Sequence, residues 1–366
     1  MRHPVTRTVL CAAILSGALA ATAGAQTAPQ GYPAGYQPLV SAAAKEGKVI
    51  VYSTTDTKAA NPVIQDFEKL YPGIKVEYND MNSTELYSRY LSEQASGSNS
   101  GDVVWSSAMD ATMKLAKSYA MAYPSVELSH LPAWSVWEKK AYGTTFEPAV
   151  FIYNKRLVKA DEVPTTHAAF AKLVAGDTAR FKSKVTTYDV EKSAVGFMLA
   201  VQDQRNDPNY QSFLKDSSKA GLVVQSSTGT MMERVSSGEN LLGYNILGSY
   251  AETRAKSDPS LGVSYPTDYT LILSRVAFIS KGAQHPNAAK LWMDYLLSQR
   301  GQNVLANQAN LASVRTDIDG DNDVDGMTKK LGSALKPIPV DESLLDYLDQ
   351  GKRLAFIKMW RKDAGK

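Results

Sequence analysis

Between Lys48 and Asp110 the chain repeats one unit three times, and that repeat narrows the fold more than any other feature. Lys48-Val49-Ile50-Val51-Tyr52 is a short β-rich run that ends abruptly in Ser53-Thr54-Thr55-Asp56. Asn61 to Tyr71 then carries helical spacing through Val63, Phe67 and Leu70, and Pro72-Gly73 breaks it. Ile74 to Tyr78 alternates as a half-buried strand, and Asn82-Ser83-Thr84-Glu85 reads as the capped start of a helix toward Glu93. Asp102-Val103-Val104-Trp105 is a third strand, ending in Ser106-Ser107 before a helix from about Asp110. Strand, polar loop and helix in that order predict an α/β layer with a largely parallel sheet. Ligands on such sheets bind beyond the carboxyl ends of the strands. Here those ends carry three short, hydroxyl-rich loops, which as easily serve as helix caps one by one but together point to a cleft.

The character changes near Tyr142 to Pro148, where an extended segment runs on through Tyr153. A second strand–helix series follows, with Lys184–Tyr188, a helix from about Ser193, Gly221–Val224 and Leu241–Tyr244. Tyr269 to Ile279 is extended again. After Pro286 an amphipathic helix places Ala288, Leu291, Trp292, Tyr295 and Leu296 on one face. Trp134, Trp137 and Trp292 are expected to serve packing rather than ligand stacking.

Residues 1–25 read as an export signal: a basic start at Arg2 and Arg7, an apolar run from Val9 to Ala20, and small residues Ala23-Gly24-Ala25 for cleavage. The run falls short of the about 20 residues a membrane span needs. Cleavage after Ala25 would leave Gln26 as the mature N-terminus and place the product in the periplasm. Cys11, the single cysteine, goes with the signal, which rules out disulfides, thiolate metal sites and cysteine nucleophiles in the mature chain. Without Arg2 and Arg7 the formal net charge drops from +3 to +1, and no basic run invites nucleic acid or an anionic membrane.

The segments Val49–Ser53, Asp66–Val76, Asp102–Val104, Val150–Lys155 and Lys281–Gly301 resemble, in this order, the solute-binding proteins of ABC importers. The resemblance is to the branch with ferric-ion binders and binders of phosphorylated sugars, phosphonates and phosphoglycerate. It implies a two-lobed α/β fold of the type II periplasmic-binding-protein class. Two hinge strands, Thr144–Ile152 and Leu271–Phe278, would join the lobes around a ligand cleft. The first lobe would comprise residues 26–146 and 276–366, with the last helices free to pack on either lobe, and the middle lobe residues 147–275. The implied partner is an ABC permease in the inner membrane, and a monomer is expected.

Ferric binders of this kind hold iron with two adjacent tyrosines; the matching stretch here, Leu241 to Tyr250, offers Tyr244 without a neighbour. A small anion, phosphorylated or carboxylated, fits better, with Fe³⁺ as the alternative. Ser193, at the start of a helix, and Thr228, in a second polar turn, would meet it from the middle lobe, with Tyr244 flanking. Ser53, Thr54, Thr55, Ser83, Thr84, Ser106 and Ser107 would face them from the first lobe. No cofactor is expected. Asp321-x-Asp323-x-Asp325-Gly326 matches the first half of a calcium loop, but Gly332 stands where a bidentate Glu belongs, so an acidic solvated loop is the stronger reading. A secreted hydrolase is the rival class, and it lacks a G-x-S-x-G elbow, an H-E-x-x-H pair and a cysteine nucleophile. Paired carboxylates in a cleft keep a glycosidase open.

Overall fold

A computed structural model describes residues 28–319 and 324–366. Its strands are β1 (Lys48–Ser53), β2 (Lys75–Asp80), β3 (Val103–Ser106), β4 (Val136–Trp137), β5 (Ala141–Gly143), β6 (Glu147–Asn154), β7 (Val185–Tyr188), β8 (Leu222–Gln225), β9 (Leu242–Leu247), β10 (Leu261–Ser264), β11 (Thr270–Leu273), β12 (Val276–Ile279) and β13 (Leu335–Pro337). They form two sheets. The first has the order β2-β1-β3-β12-β5-β4, and the second β13-β11-β6-β9-β7-β8 with β10 paired to β6. In the first sheet β1 runs parallel to β2 and β3, as the triple repeat requires, and β12 returns antiparallel beside β3.

The helix Thr57–Leu70 buries Ala60, Val63, Ile64 and Phe67, spaced by three and four residues, against the first sheet. Pro286–Leu297 packs beside it. Proline occupies its first position, where a missing N–H costs nothing. The Trp292 ring lies 5.1 Å from that of Phe67, edge to face. Trp137 is buried and Trp134 packs against Phe146, so the three tryptophans serve packing.

The chain changes sheet between Gly143 and Glu147 and again between Leu273 and Val276. The two crossovers lie side by side. Thr144 N–H donates to the Arg275 carbonyl at 3.0 Å, and Arg275 N–H donates to Thr145 Oγ1 at 2.8 Å. Between them the Arg275 guanidinium grips the Glu147 carboxylate through Nε (2.8 Å) and Nη2 (3.1 Å), both side chains being 0% exposed. A third passage was not expected from the sequence. Ser313 bridges Thr145, and β13 then joins the second sheet beside β11. The tail therefore does not stay with the first lobe. The helix Gln350–Asp363 inserts Phe356 and Trp360 among Phe197, Phe213 and Leu214, because the second sheet leaves an apolar face there to cover. Of the acidic loop, Asp321 and Asp323 lie outside the described residues, and Asp325 is exposed in the first turn of the helix Val324–Leu331.

The lobes also touch along the helix Met109–Tyr119, which packs with Ala194–Asn206 and with the turn Glu342–Leu348. Asp110 is buried at the start of that helix, accepting a hydrogen bond from Ala111 N–H at 2.7 Å. Burial pushes its carboxyl up to about 7, against the helix N–H groups and the Arg353 and Lys114 charges.

Two tests follow from these buried charges. Glu147→Gln strands the Arg275 charge in the core and should cost about 3–5 kcal/mol in a denaturant titration. Replacing both partners by apolar residues, Glu147→Leu with Arg275→Met, should recover most of that loss. At Asp110 the folded state holds its proton more tightly than the unfolded chain does. Its contribution is therefore fully present below about pH 4 and is lost as pH rises toward 7. Asp110→Asn should raise the melting temperature by about 2 °C or more at pH 8, and the gain should vanish near pH 4.

Candidate functional site

A cavity of ≈ 200 Å³ lies between the lobes. From the first lobe it is lined by Thr54, Asp56, Asp80, Met81, Asn82, Ser83 and Ser107, and from the second by Tyr188, Val195, Ser226 to Gly229, Leu247 and Tyr250. Every one of these residues sits at or just past the end of a strand or at the start of a helix, the place where such sheets bind ligands. Asp56, Asn82, Ser227 and Leu247 cap helices starting at Thr57, Ser83, Thr228 and Gly248, while Ser107 precedes the helix from Met109 and Val195 lies in the first turn of the helix from Ala194. Six helix N-termini thus border one cavity and bring the positive ends of their dipoles to it, although one first-turn N–H in each of four helices is taken by a side chain: Thr57 by Asp80, Glu85 by Asn82, Gly196 by Ser193 and Thr230 by Ser227.

The expected residues divide by what their side chains do. Thr54 and Ser107 line the floor and are tied to each other: Ser107 N–H donates to Thr54 Oγ1 at 2.9 Å, and the two hydroxyls share a hydrogen bond at 3.1 Å. Thr228 lines the opposite wall and shares a hydrogen bond with the Tyr188 hydroxyl. Ser83 lines the cavity with only 7% of its surface exposed, and among the described residues no hydrogen bond to its hydroxyl is seen. Four others hold the frame. Ser53 Oγ donates to the Trp105 carbonyl (2.8 Å), Thr55 Oγ1 accepts from Arg275 Nη1 (3.0 Å), Ser106 Oγ accepts from Ala108 N–H (3.2 Å), and Ser193 Oγ accepts from Gly196 N–H (3.2 Å) as a helix cap. Thr84 spans the lobes, its hydroxyl donating to the Lys192 carbonyl at 3.0 Å.

Tyr244 departs furthest from expectation. Its hydroxyl donates to Asp203 Oδ2 at 2.7 Å, and its ring packs on Phe213 inside the second lobe, beside a void of ≈ 20 Å³ and off the cleft. Burial holds Asp203 up to about 6, with His167, Tyr244, Asn245 and Tyr269 opposing the rise. The polar group Tyr244 needs is thus inside the core, so strand β9 turns this side chain inward and leaves Tyr250 to face the cleft.

Tyr250, Tyr188, Asp56 and Asp80 were not among the expected site residues. The Tyr250 hydroxyl accepts from Asp56 N–H across the lobes at 3.1 Å, and its ring lies 5.1 Å from the Arg275 guanidinium. Asp80 Oδ2 accepts from Thr57 N–H at 2.8 Å and from Thr57 Oγ1 at 3.2 Å, which leaves Oδ1 open. Partial burial raises the Asp56 carboxyl above its usual range, the Asp80 charge adds to the rise, and Arg275 opposes it. No Lys, Arg or His is among the described residues lining the cavity. Arg275, the nearest guanidinium beneath Tyr250, is already matched by Glu147. The sequence signal for Asp56 and Asp80 was available, since Asp56 closes the polar loop after the first strand of the triple repeat and Asp80 ends the second.

A larger hollow of ≈ 540 Å³ opens on the outer face of the first lobe, between Pro29–Pro33, Tyr71, Tyr295 and Arg315. Its arginines are already engaged, Arg315 by Glu127 and Asp317 and Arg300 by Asp66.

A family model described as bacterial extracellular solute-binding protein matches residues 63–329. No curated protein matches the chain. Among solved structures, the substrate-binding protein of an ABC transporter from Agrobacterium tumefaciens is 36% identical, with a TM-score of 0.83 over 87% of this chain and 94% of that one. A periplasmic binding protein from Actinobacillus pleuropneumoniae with fructose 6-phosphate bound is 17% identical, with a TM-score of 0.72 over 87% and 99% of the two chains. An iron-bound protein from Pseudomonas aeruginosa is 18% identical, with a TM-score of 0.64 over 86% and 99%. The last two likenesses are of fold. With its two sheets, paired crossovers and inter-lobe cavity, the chain belongs to the bacterial extracellular solute-binding proteins and has the type II periplasmic-binding-protein fold.

Proposed function

We propose that this protein captures a small anionic solute, phosphorylated or carboxylated, in the periplasm and delivers it to an ABC permease of the inner membrane. The observation that carries this reading is the convergence of six helix N-termini on one cavity with a floor of neutral hydroxyls. Such a floor binds an oxyanion through N–H and O–H donors without a countercharge. The cavity, ≈ 200 Å³, suits a small solute. Contacts from both lobes mean that binding favours the closed arrangement.

A second reading, Fe³⁺, has one observation in its favour: the lining offers the oxygens of Asp56, Asp80, Tyr188 and Tyr250 and no basic group. Against it, burial holds both phenols above their usual range, and Gly248-Ser249, rather than a tyrosine pair, lead into Tyr250. Purified protein mixed with ferric citrate should stay colourless; a visible charge-transfer band lost in Tyr250→Phe would establish the metal reading.

Ser83→Ala should weaken binding of the solute about tenfold to a hundredfold, the loss expected for one hydrogen bond to a charged group. Its unliganded melting temperature should hold, since the hydroxyl bonds nothing else. Tyr244→Phe should do the reverse, lowering stability by about 1–3 kcal/mol with affinity unchanged. Calorimetry and thermal melts on the two variants check both, and the solute should be recovered intact after incubation. Scattering should show a more compact particle with ligand than without; identical profiles at saturation would count against closure.

A further inference from the structure

The cavity is electrically divided. Its floor and walls carry Thr54, Ser83, Ser107 and Thr228 and are bordered by helix N-termini, each of these worth roughly half a positive elementary charge, and they suit an anion. Its rim carries two exposed carboxylates, Asp80 at the end of β2 and Asp56 three residues past the end of β1, whose last residue Ser53 is the register partner of Asp80. Among the described residues no hydrogen bond to the Asp56 carboxylate is seen, and only Oδ2 of Asp80 is engaged. No basic side chain among the described residues lines the cavity to neutralise them. A simple anion entering this cleft would meet both carboxylates with like charge, which costs affinity unless the solute brings the missing countercharge. Ser83, three residues beyond Asp80, is itself 7% exposed and lines the cavity, and no hydrogen bond to its hydroxyl is seen among the described residues, which leaves that hydroxyl to a polar guest.

We infer that the solute is a small zwitterion, its acid group held on the hydroxyl floor and a primary ammonium held by Asp56 and Asp80. The inference rests on the anion-binding reading above and adds the second charge. An ammonium has three donors, enough for both carboxylates and one further acceptor such as Asn82.

Matched probes test this by calorimetry on the whole protein at neutral pH: 2-aminoethylphosphonate against ethylphosphonate, and β-alanine against propanoate. Each aminated probe should bind about tenfold or more tightly than its partner. In Asp56→Asn and Asp80→Asn that gap should shrink, while the amine-free probes bind as well or better. Asp56→Asn is the safer variant, because Asp80 also caps the helix from Thr57. Equal affinity within each pair, or tighter binding of sn-glycerol 3-phosphate, would overturn the zwitterion and leave the anion reading standing. A full gap surviving in both Asn variants would overturn the assignment to these carboxylates. Ethylamine binding as tightly as the zwitterions, or no probe binding at millimolar concentration, would overturn the inference and the anion reading together.

Discussion

The Arg275–Glu147 ion pair is the constraint from which the rest of the architecture follows. It sits where two crossovers run together, with no exposure to solvent on either side chain. An unpaired charge there would cost several kcal/mol, so the two strands must stay in register to keep both charges satisfied. The same guanidinium reaches Thr55 in the first lobe and lies under the Tyr250 ring of the second. One side chain therefore fixes the crossovers to each other and to both walls of the cleft. Apolar residues could hold the strands as firmly, but they would not set the position of Thr55 and Tyr250 by directed bonds.

The cleft chemistry is a consequence of topology. In parallel sheets every strand ends where the next helix begins, so the backbone N–H groups of many helices collect on one edge. When two such edges face each other, an electropositive hollow arises without any basic residue. Side chains are then left to refine it. Ser83, Ser107 and Thr228 add donors, whereas Asp56 and Asp80 add negative charge only at the rim. A lysine or arginine in the floor would bind anions of many shapes; hydroxyls and backbone groups demand that donors and oxygens align, which favours discrimination.

Much of this was legible from residue order. Periodicity through Val63, Phe67 and Leu70 marked a helix on the sheet, and polar strand ends located the cleft to within a loop. The side chains inside those loops were harder to assign. A serine or threonine beside a helix start can cap it or face a ligand, and the choice depends on a rotamer that sequence does not encode. Ser193 became a cap, whereas Ser83, with Asn82 already capping its helix, was released to the cavity. Tyr244 was misjudged because its partner, Asp203, is forty-one positions away in the chain. The tail was open for the same reason: the face that Phe356 and Trp360 cover is assembled from strands and helices distant in sequence.

That tail, together with β12, bears on how the protein comes together. The central strand of the first sheet, Val276–Ile279, is separated from its neighbour β3 by the whole second sheet up to β11. The core of the second lobe is likewise unfinished until Phe356 and Trp360 arrive. A chain emerging from its amino end therefore has neither lobe complete until nearly all of it is out. Both halves expose raw apolar edges in the meantime, and their closing contacts span long stretches of chain, which slows folding. The segment from Val276 onward is thus needed before either lobe can set.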